Sequence, residues 1–430
     1  VFDFVYAHLL GILLGIVSGC IPGVGNFVLM LLVFPFLSSF DVTQLLVFYA
    51  TMASISQYIG SIPATLYGIP GESSSYPVVT ESKRLKSTTQ VSEAISGSAI
   101  GSFFGSLIVV GIVWYFSSYA ESVKYFFSTH LVVALLLVVL VVMLFTVENA
   151  WYVNLLLILA GFALGLPGQN AFTNTSILTF DNIYMYAGLP LEIIVICLFA
   201  VPQILSHWHM HNKKVSSKIY TTAKIYFLHP ISTAWSTVIG FFGGLIPGLT
   251  TVVSSMAAYQ ISCWRTKDPV KRIVASETAN NAGAFSQLLP LLLFGVPIIG
   301  SEAILLFLME QKGYSVSSSF FPELIEVISY NLLIANCIGL LLAWPLSQHV
   351  NLFYKINLKV MFTVILFLLF VITLYTGYTK YSTLFYLACF LVLAPLGALI
   401  KHINTLPLVF AFAIHDKLFE GLFRLTQLLS

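Results

Sequence analysis

Charge is what this sequence has least of. Only 8% of its 430 residues are Asp, Glu, Lys or Arg, where an ordinary soluble domain carries about 25%. A soluble globule of this length could not cover its surface with so few charges, so soluble enzymes, nucleic-acid binders and disordered scaffolds are excluded. Cysteine is scarce and odd in number: Cys20, Cys197, Cys263, Cys337 and Cys389 stand apart. No CxxC pair or Cys/His cluster is present, which excludes a disulfide frame and a zinc site. HExxH, GxxxxGK[ST] and GxSxG are all missing, so no enzymatic activity is expected. The string His207, His209 and His211 lies beside lysines in a polar segment and is expected to be a solvated loop.

What the chain has instead is apolar sequence, 58% of the total. Apolar runs fill residues 5–38, 43–70, 94–117, 131–147, 150–166, 189–206, 230–263, 273–309, 323–347, 360–376 and 381–400, with a shorter run at 406–414. Short polar stretches separate them. At roughly 20 residues per span, this predicts an all-α polytopic membrane protein with about 10–12 membrane segments. The chain reads as a single membrane domain over 1–430. Within it, 1–130 is a first repeat, 131–224 connecting helices and a basic loop, 225–350 a second repeat, and 351–430 C-terminal helices. Basic residues gather in three places: Lys83, Arg84 and Lys86; Lys213, Lys214, Lys218 and Lys224; and Arg265, Lys267, Lys271 and Arg272. The positive-inside rule assigns all three to the cytoplasmic side.

The repeat is visible in ordered Gly and Pro matches. GILLGIVSGCIPG at 11–23 parallels STVIGFFGGLIPG at 236–248, pairing Gly15, Gly19, Pro22 and Gly23 with Gly240, Gly244, Pro247 and Gly248. Further along, Asp41, Thr51, Pro63, Gly68 and Pro70 pair with Asp268, Thr278, Pro290, Gly295 and Pro297. In the first copy the basic cluster follows the second motif; in the second copy it precedes it. The copies are therefore expected to have opposite topology, as in many secondary transporters.

The Pro-Gly segments at 21–23, 68–71, 246–248 and 295–297 are expected to break helices inside the membrane. Freed backbone cannot face lipid, so it must be buried in protein or line a wet cavity. Helices restarting there would aim N–H groups and positive dipole ends at that cavity. Residues 1–38 and 230–263 are expected to form re-entrant hairpins from opposite faces, with a single long tilted helix as the alternative for each. Polar residues follow every break: Gly25 and Asn26; Ser73 and Ser74; Thr250 and Thr251; and Ser301. Together with Pro22, Gly23, Pro70, Gly71, Pro247, Gly248, Gly295 and Pro297 they form the candidate substrate site, suited to carboxylates. Glu277, Asn280 and Asn281 lie in an otherwise apolar stretch. An intramembrane carboxylate is costly without a purpose, so this is the candidate coupling-ion site, for a proton or for Na⁺ held near Glu277.

These motifs carry a resemblance. GxxxGxIPGxG from Gly15 to Gly25 and GSIPATLYGIPG from Gly60 to Gly71 resemble the large membrane subunit of the bacterial tripartite tricarboxylate transporters. So do GGLIPG at 243–248, SETANNAGA at 276–284, LPLLLFGVP at 289–297 and LPLVFAFAIHDKLFEGLFR at 406–424. The stretch 168–180 departs from the family pattern, with Asn170 and Ile177 where an acidic residue and an arginine are expected. The resemblance implies a multi-pass protein of the bacterial inner membrane that imports small organic anions, di- or tricarboxylates, by ion-driven alternating access. It implies a periplasmic solute-binding protein and a small membrane subunit as partners, no cofactor beyond Na⁺ or H⁺, and no nucleic acid. A homo-oligomer stays open, and a passive organic-anion channel or a non-transporting scaffold subunit is the alternative function.

Overall fold

The computed structural model describes residues 2–21, 24–68, 73–117, 129–169, 175–208, 230–245, 251–295, 297, 299–314, 321–355, 357–380 and 382–429. Helices dominate, and the one sheet among these residues is a two-stranded antiparallel ribbon pairing Gly168–Gln169 with Ser176–Ile177. Each long apolar run becomes one helix or two. The first run gives α1 (Phe2–Cys20) and α2 (Asn26–Leu37); the next gives α3 (Val42–Tyr67). A 3₁₀ turn at Ser73–Ser75 leads into the short α4 (Tyr76–Ser82), followed by α5 (Thr88–Ser117). Then come α6 (Thr129–Thr146), α7 (Trp151–Gly165) and α8 (Leu191–Ser206). The second copy of the motifs builds α9 (Pro230–Leu245), α10 (Thr251–Arg265), α11 (Pro269–Phe294), α12 (Gly300–Gln311) and α13 (Phe321–His349). The chain closes with α14 (Leu358–Thr379), α15 (Thr383–Leu399) and α16 (Leu406–Leu429). Four helices, α3, α5, α13 and α14, are long and apolar enough to cross a membrane, and six shorter apolar helices accompany them among the described residues.

The two central helices, α3 and α11, are built alike. Each has 26 residues, or about 39 Å at 1.5 Å per residue. Each starts at an aspartate cap. The Asp41 carboxylate accepts from the Gln44 amide at 2.8 Å while the Asp41 amide donates to Gln44 Oε1 at 3.0 Å, a closed capping box. Asp268 accepts from the Val270 amide at 3.0 Å, with Pro269 in the first turn. Each ends at a glycine in the left-handed region, Gly68 with φ 61° and Gly295 with φ 62°, where any L side chain would be strained. Pro63 and Pro290 lie inside the helices near their ends without interrupting them.

Helices do break at the second and fourth Pro-Gly segments: the glycines that open them, Gly68 and Gly295, are C-caps that close 26-residue helices long enough to span the roughly 30 Å hydrocarbon layer. Gly68 accordingly lies beside Ser82 at the far end of α4, and the Tyr314 hydroxyl, beyond α12, donates to the Leu292 carbonyl at 3.1 Å. The ends of α4 and α12 thus lie back at the level of the two caps.

Close packing of the first helix of each copy on the central helix is set by glycines. On α1, Gly15 and Gly19 oppose the carbonyls of Met52 and Ser56; on α9, Gly240 and Gly244 oppose those of Ala279 and Gly283. A Cβ at any of the four would collide with backbone, so the small residues let two helices touch main chain to main chain. The partners keep the spacing seen in the sequence, residue for residue. The copies also interlock: α3 packs along α13 and α11 along α5, so each central helix lies against the last helix of the other copy.

The bundle has two distinguishable ends. At one, the buried Glu81 carboxylate accepts from Arg84 at 2.8 Å, Arg272 at 3.0 Å and the Tyr259 hydroxyl at 2.9 Å. This brings the clusters at 83–86 and 265–272 together. At the other end, Lys312 donates to the Ser38 carbonyl. The chain can be followed between them. From the basic end α5 runs to Trp114, which meets Tyr330 near the start of α13. So α13 returns to the basic end and α14 leaves it again, placing Lys380 and the start of α15 at the end opposite the basic clusters. The third basic cluster, 213–224, lies outside the described residues.

Outer helices show apolar faces. The apolar window of α14 is only 28% buried, against 94% for α3. Phe367, Val360 and Leu368 of α14 and Phe145, Trp151 and Leu156 of α6 and α7 are exposed. In water such surface would be costly; in a bilayer it is the solvated face.

Candidate transport site

Pro22, Gly23, Pro70, Gly71, Pro247, Gly248 and Thr250 lie outside the described residues, and Ser73 is placed by its backbone alone, in the 3₁₀ turn. The other candidate substrate residues fall into two clusters, each joining one copy to the other, and the candidate coupling residues form a third group.

In the first cluster the start of α2 meets the start of α12. Asn26 Nδ2 donates to Ser56 Oγ of α3 at 2.9 Å, and Ser56 Oγ donates on to the Ala53 carbonyl at 2.9 Å. Gly25 caps α2 in an extended conformation with open space where a Cβ would stand. Gly300 packs against the Phe27 ring, so closely that a Cβ would strike it. Next to it, Ser301 Oγ lies 3.0 Å from the buried Tyr49 hydroxyl of α3. Glu302 Oε2 accepts from the Ile299 amide at 3.3 Å, a carboxylate capping the first turn of α12. Gly295 and Pro297, just before, are both buried.

In the second cluster the start of α10 meets the 3₁₀ turn. Ser255 Oγ donates to the Ser74 carbonyl at 2.8 Å. Thr251 and Ser254 line the approach to Gly283 of α11, and Ser254 also fills the space beside Gly243 of α9. Ser74 and Ser255 are fully buried.

Glu277, Asn280 and Asn281 lie on α11, all at most 1% exposed. Glu277 and Asn281 are one helical turn apart. Asn281 Nδ2 donates to the Glu277 carbonyl at 3.1 Å and to Ser102 Oγ of α5 at 2.9 Å; Ser102 Oγ is itself 3.3 Å from that carbonyl. On α11 and the helices packed against it, α5 and α10, the buried oxygens Asn281 Oδ1, Thr278 Oγ1, Ser98 Oγ, Ser106 Oγ and Ser254 Oγ have no hydrogen-bond partner among the described residues. One carboxylate among neutral oxygens is donor chemistry for a hard cation or a proton.

Sequence reasoning missed three contributors. Ser98, Ser102 and Ser106 recur every fourth residue on α5, interleaved with Gly97, Gly101 and Gly105, which pack on Val274 and Thr278 of α11 and on Thr237 of α9. That stripe was readable as a small, polar helix face. Tyr49 lay hidden in an apolar run. A π-helical turn at Ile196–Ala200 in α8 had no sequence signal; its Phe199 meets Phe27 edge to face at 4.3 Å, and its Leu198 carbonyl accepts from Thr405 Oγ1.

A cleft of about 240 Å³ between α5 and α13 is lined by Leu107, Val110, Trp114, Tyr330 and Leu333. Its apolar walls suit a hydrocarbon chain and not a carboxylate.

The sequence profile of the tripartite tricarboxylate transporter TctA family matches residues 5–410. The chain belongs to this family. TctA proteins are the large membrane subunits of tripartite tricarboxylate transporters, a transporter family and not an enzyme family, so this multi-pass membrane protein is one component of a system that includes a binding protein and a small subunit. The chain is 24% identical over 351 residues to an uncharacterized 52.8 kDa protein of Agrobacterium vitis encoded in the region 3′ of ttuC′, covering 78% of this chain and 70% of that one. It is 21% identical over 388 residues to an uncharacterized protein of Methanocaldococcus jannaschii, covering 88% and 90% of the two chains. No solved structure matches it.

Proposed function

We propose that this TctA subunit is an ion-driven importer of small organic anions, di- or tricarboxylates, working by alternating access in the bacterial inner membrane. The observation that carries the proposal is the meeting of helix starts from different copies: α2 with α12, and α10 with the 3₁₀ turn before α4. The helices α2 and α12 have 12 residues each and α10 has 15, or about 18 and 22 Å. Each reaches from one end of the bundle to roughly half the hydrocarbon depth. With the basic end cytoplasmic, α9 and α10 form a hairpin from the inside and α1 and α2 one from the outside, related as inverted repeats. Unsatisfied N–H groups of these starts, with Asn26, Ser74, Thr251 and Ser301, bind the carboxylates of the substrate without a buried cation.

Glu277, with Asn280, Asn281 and the α5 serines, binds the coupling cation. Alternating access follows from movement of the hairpin-bearing part against α5 and α13. The test is uptake of labelled citrate and a panel of dicarboxylates into proteoliposomes holding the transporter, its binding protein and its small subunit, with Na⁺ and proton gradients imposed separately. Accumulation that requires one gradient is the expected result and names the ion. Equilibration without accumulation would establish a passive channel and overturn the proposal.

A further inference from the structure

The segment between α7 and α8 has not been used by any of this. Its described part, 175–190, holds a single charged residue, Asp181, and no lysine or arginine. It is nonetheless built firmly. The Gln169 amide donates to the Tyr186 carbonyl at 2.9 Å across the base of the ribbon, and Gly168 and Gly188 approach main chain to main chain. The Asn182 side chain accepts from the Tyr184 amide at 3.0 Å, while the Asn182 amide donates to the Thr179 carbonyl at 2.9 Å. The Tyr184 ring stacks on Phe385 at the start of α15, and the adjoining Glu192 is held by Lys380 at 2.6 Å and Tyr386 at 2.7 Å.

This frame presents apolar side chains outward. Phe180 is 80% exposed, Ile183 77% and Leu178 52%. Leu178, Phe180 and Asp181 have φ of 54°, 48° and 54°, in the left-handed region that costs a residue with a Cβ on the order of 1 kcal/mol or more. A loop under no demand would relax these residues or tuck them inward. Through Lys380 and Phe385 the segment sits at the end of the bundle opposite the basic clusters.

We infer that residues 177–184 are the docking surface for the solute-binding protein of the tripartite system. The inference rests on the transport proposal, which makes this end periplasmic. Two observations favour a protein over the lipid surface. A segment that lies in an interface is rich in Lys and Arg on its polar face; this one has apolar residues and the half-exposed Tyr184 and Tyr186 that an interface accepts, but it has no cation, and anionic headgroups repel Asp181. The loop is also prepaid for binding: its strain and its hydrogen bonds fix the exposed rings before any partner arrives, which lowers the ordering cost of association.

The experiment is uptake by the reconstituted three-component transporter, titrated with its solute-binding protein. Wild type is compared with Phe180→Asp, Ile183→Asp and the milder Phe180→Ala. Removing an apolar anchor is expected to raise the half-saturating concentration of binding protein about tenfold in the Asp variants, with the rate at saturation kept and little dependence on salt. Equal half-saturation in wild type and all three variants would overturn the docking surface and leave the transport proposal standing. If wild type itself shows no uptake stimulated by binding protein, the transport proposal falls, and this one with it. A Phe180→Trp reporter decides the lipid reading: fluorescence quenched by brominated lipids without binding protein places the loop in the bilayer and overturns the inference, while quenching absent and emission shifted on adding binding protein supports it. Variants that fail to reach the membrane are replaced by Ile183→Ser, whose unchanged half-saturation counts against the surface in the same way.

Discussion

The two copies share a frame and differ in chemistry. Glycines dock α1 on α3 and α9 on α11 at matching positions, and both central helices begin at aspartate caps and end at left-handed glycines. Yet the residue that matches Glu277 in the first copy is Ala50, and Asn280 and Asn281 are matched by Ala53 and Ser54. The first copy puts its polar weight one turn later, in Ser56 receiving Asn26. Symmetry in the frame with asymmetry in the polar groups fits the proposed function: both copies contribute helix starts, and at these matched positions only the second copy has a carboxylate, the proposed cation ligand.

The frame is the first thing to break. Gly240→Val forces a branched side chain into the Ala279 carbonyl, a main-chain obstacle that cannot move aside. No folded protein should be recovered from membranes by fluorescence-detected size exclusion. Gly25→Ala, with open space around it, should be recovered at the wild-type yield. Recovery of both would mean that the glycine contact is not what holds α9 on α11.

Glu277→Gln addresses the chemistry and leaves the frame alone. The amide is isosteric, so folded yield should hold while concentrative uptake falls to background, because the cation loses its charge partner. Substrate counterflow, which needs no net ion movement, separates loss of coupling from loss of binding. Placing a carboxylate at the matching site, Ala50→Glu, should not restore coupling, since none of the α5 serines faces that helix in the same arrangement.

Much of this was legible in the sequence, and the reason is geometric. Gly and Pro matches mark main-chain events, and main-chain events repeat when a fold is duplicated; the matched pairs Asp41 with Asp268 and Gly68 with Gly295 prove to be the two ends of the central helices, whereas the apolar runs 43–70 and 273–309 bounded the second of them only loosely. Glu277 was legible because a carboxylate in an apolar run is rare. The direction of the chain after Gly68 and Gly295 was not legible, since a C-cap glycine and a mid-helix break read alike in GIPG. The partnership of Ser102 with Asn281 was hidden for a different reason: it joins residues 179 apart in the sequence, and nothing local to either announces the other.

The ends of the bundle offer a third contrast. Glu81 is 1% exposed and holds three donors at the basic end. Arg272→Met leaves that carboxylate buried with weaker company, which should cost about 3–5 kcal/mol, read as a lower unfolding temperature in detergent. Glu81→Gln combined with Arg272→Met should be milder than the sum of the two, because the second change removes the charge the first one strands. Simple additivity would show that the pair is not coupled. Smaller again are the hydroxyls. Ser102→Ala should cost about 1 kcal/mol of one hydrogen bond and shift the ion dependence of uptake, whereas Ser56→Ala should leave ion dependence alone and raise the substrate KM. Identical effects of the two would dissolve the division of labour between the copies.

The smallest effect is expected at the opposite end. Lys417 of α16 lies 2.5 Å from Glu310 and 3.3 Å from the Gly295 carbonyl, so a cation sits at the C-terminus of α11, where the helix dipole favours it. Both side chains of the ion pair are partly exposed, 28% and 40%, and an ion pair so open to solvent is worth only about 0–1 kcal/mol. Lys417→Met should therefore barely move the unfolding temperature, less than Arg272→Met by a wide margin. Each substitution takes a cation from a carboxylate; they differ in the depth of that carboxylate and in the further bonds Arg272 donates to the Thr266 and Cys263 carbonyls. A large loss at Lys417 would mean that the fourth Pro-Gly segment is held closed by this lysine, and that the end of the bundle without a basic cluster is the more tightly fastened of the two.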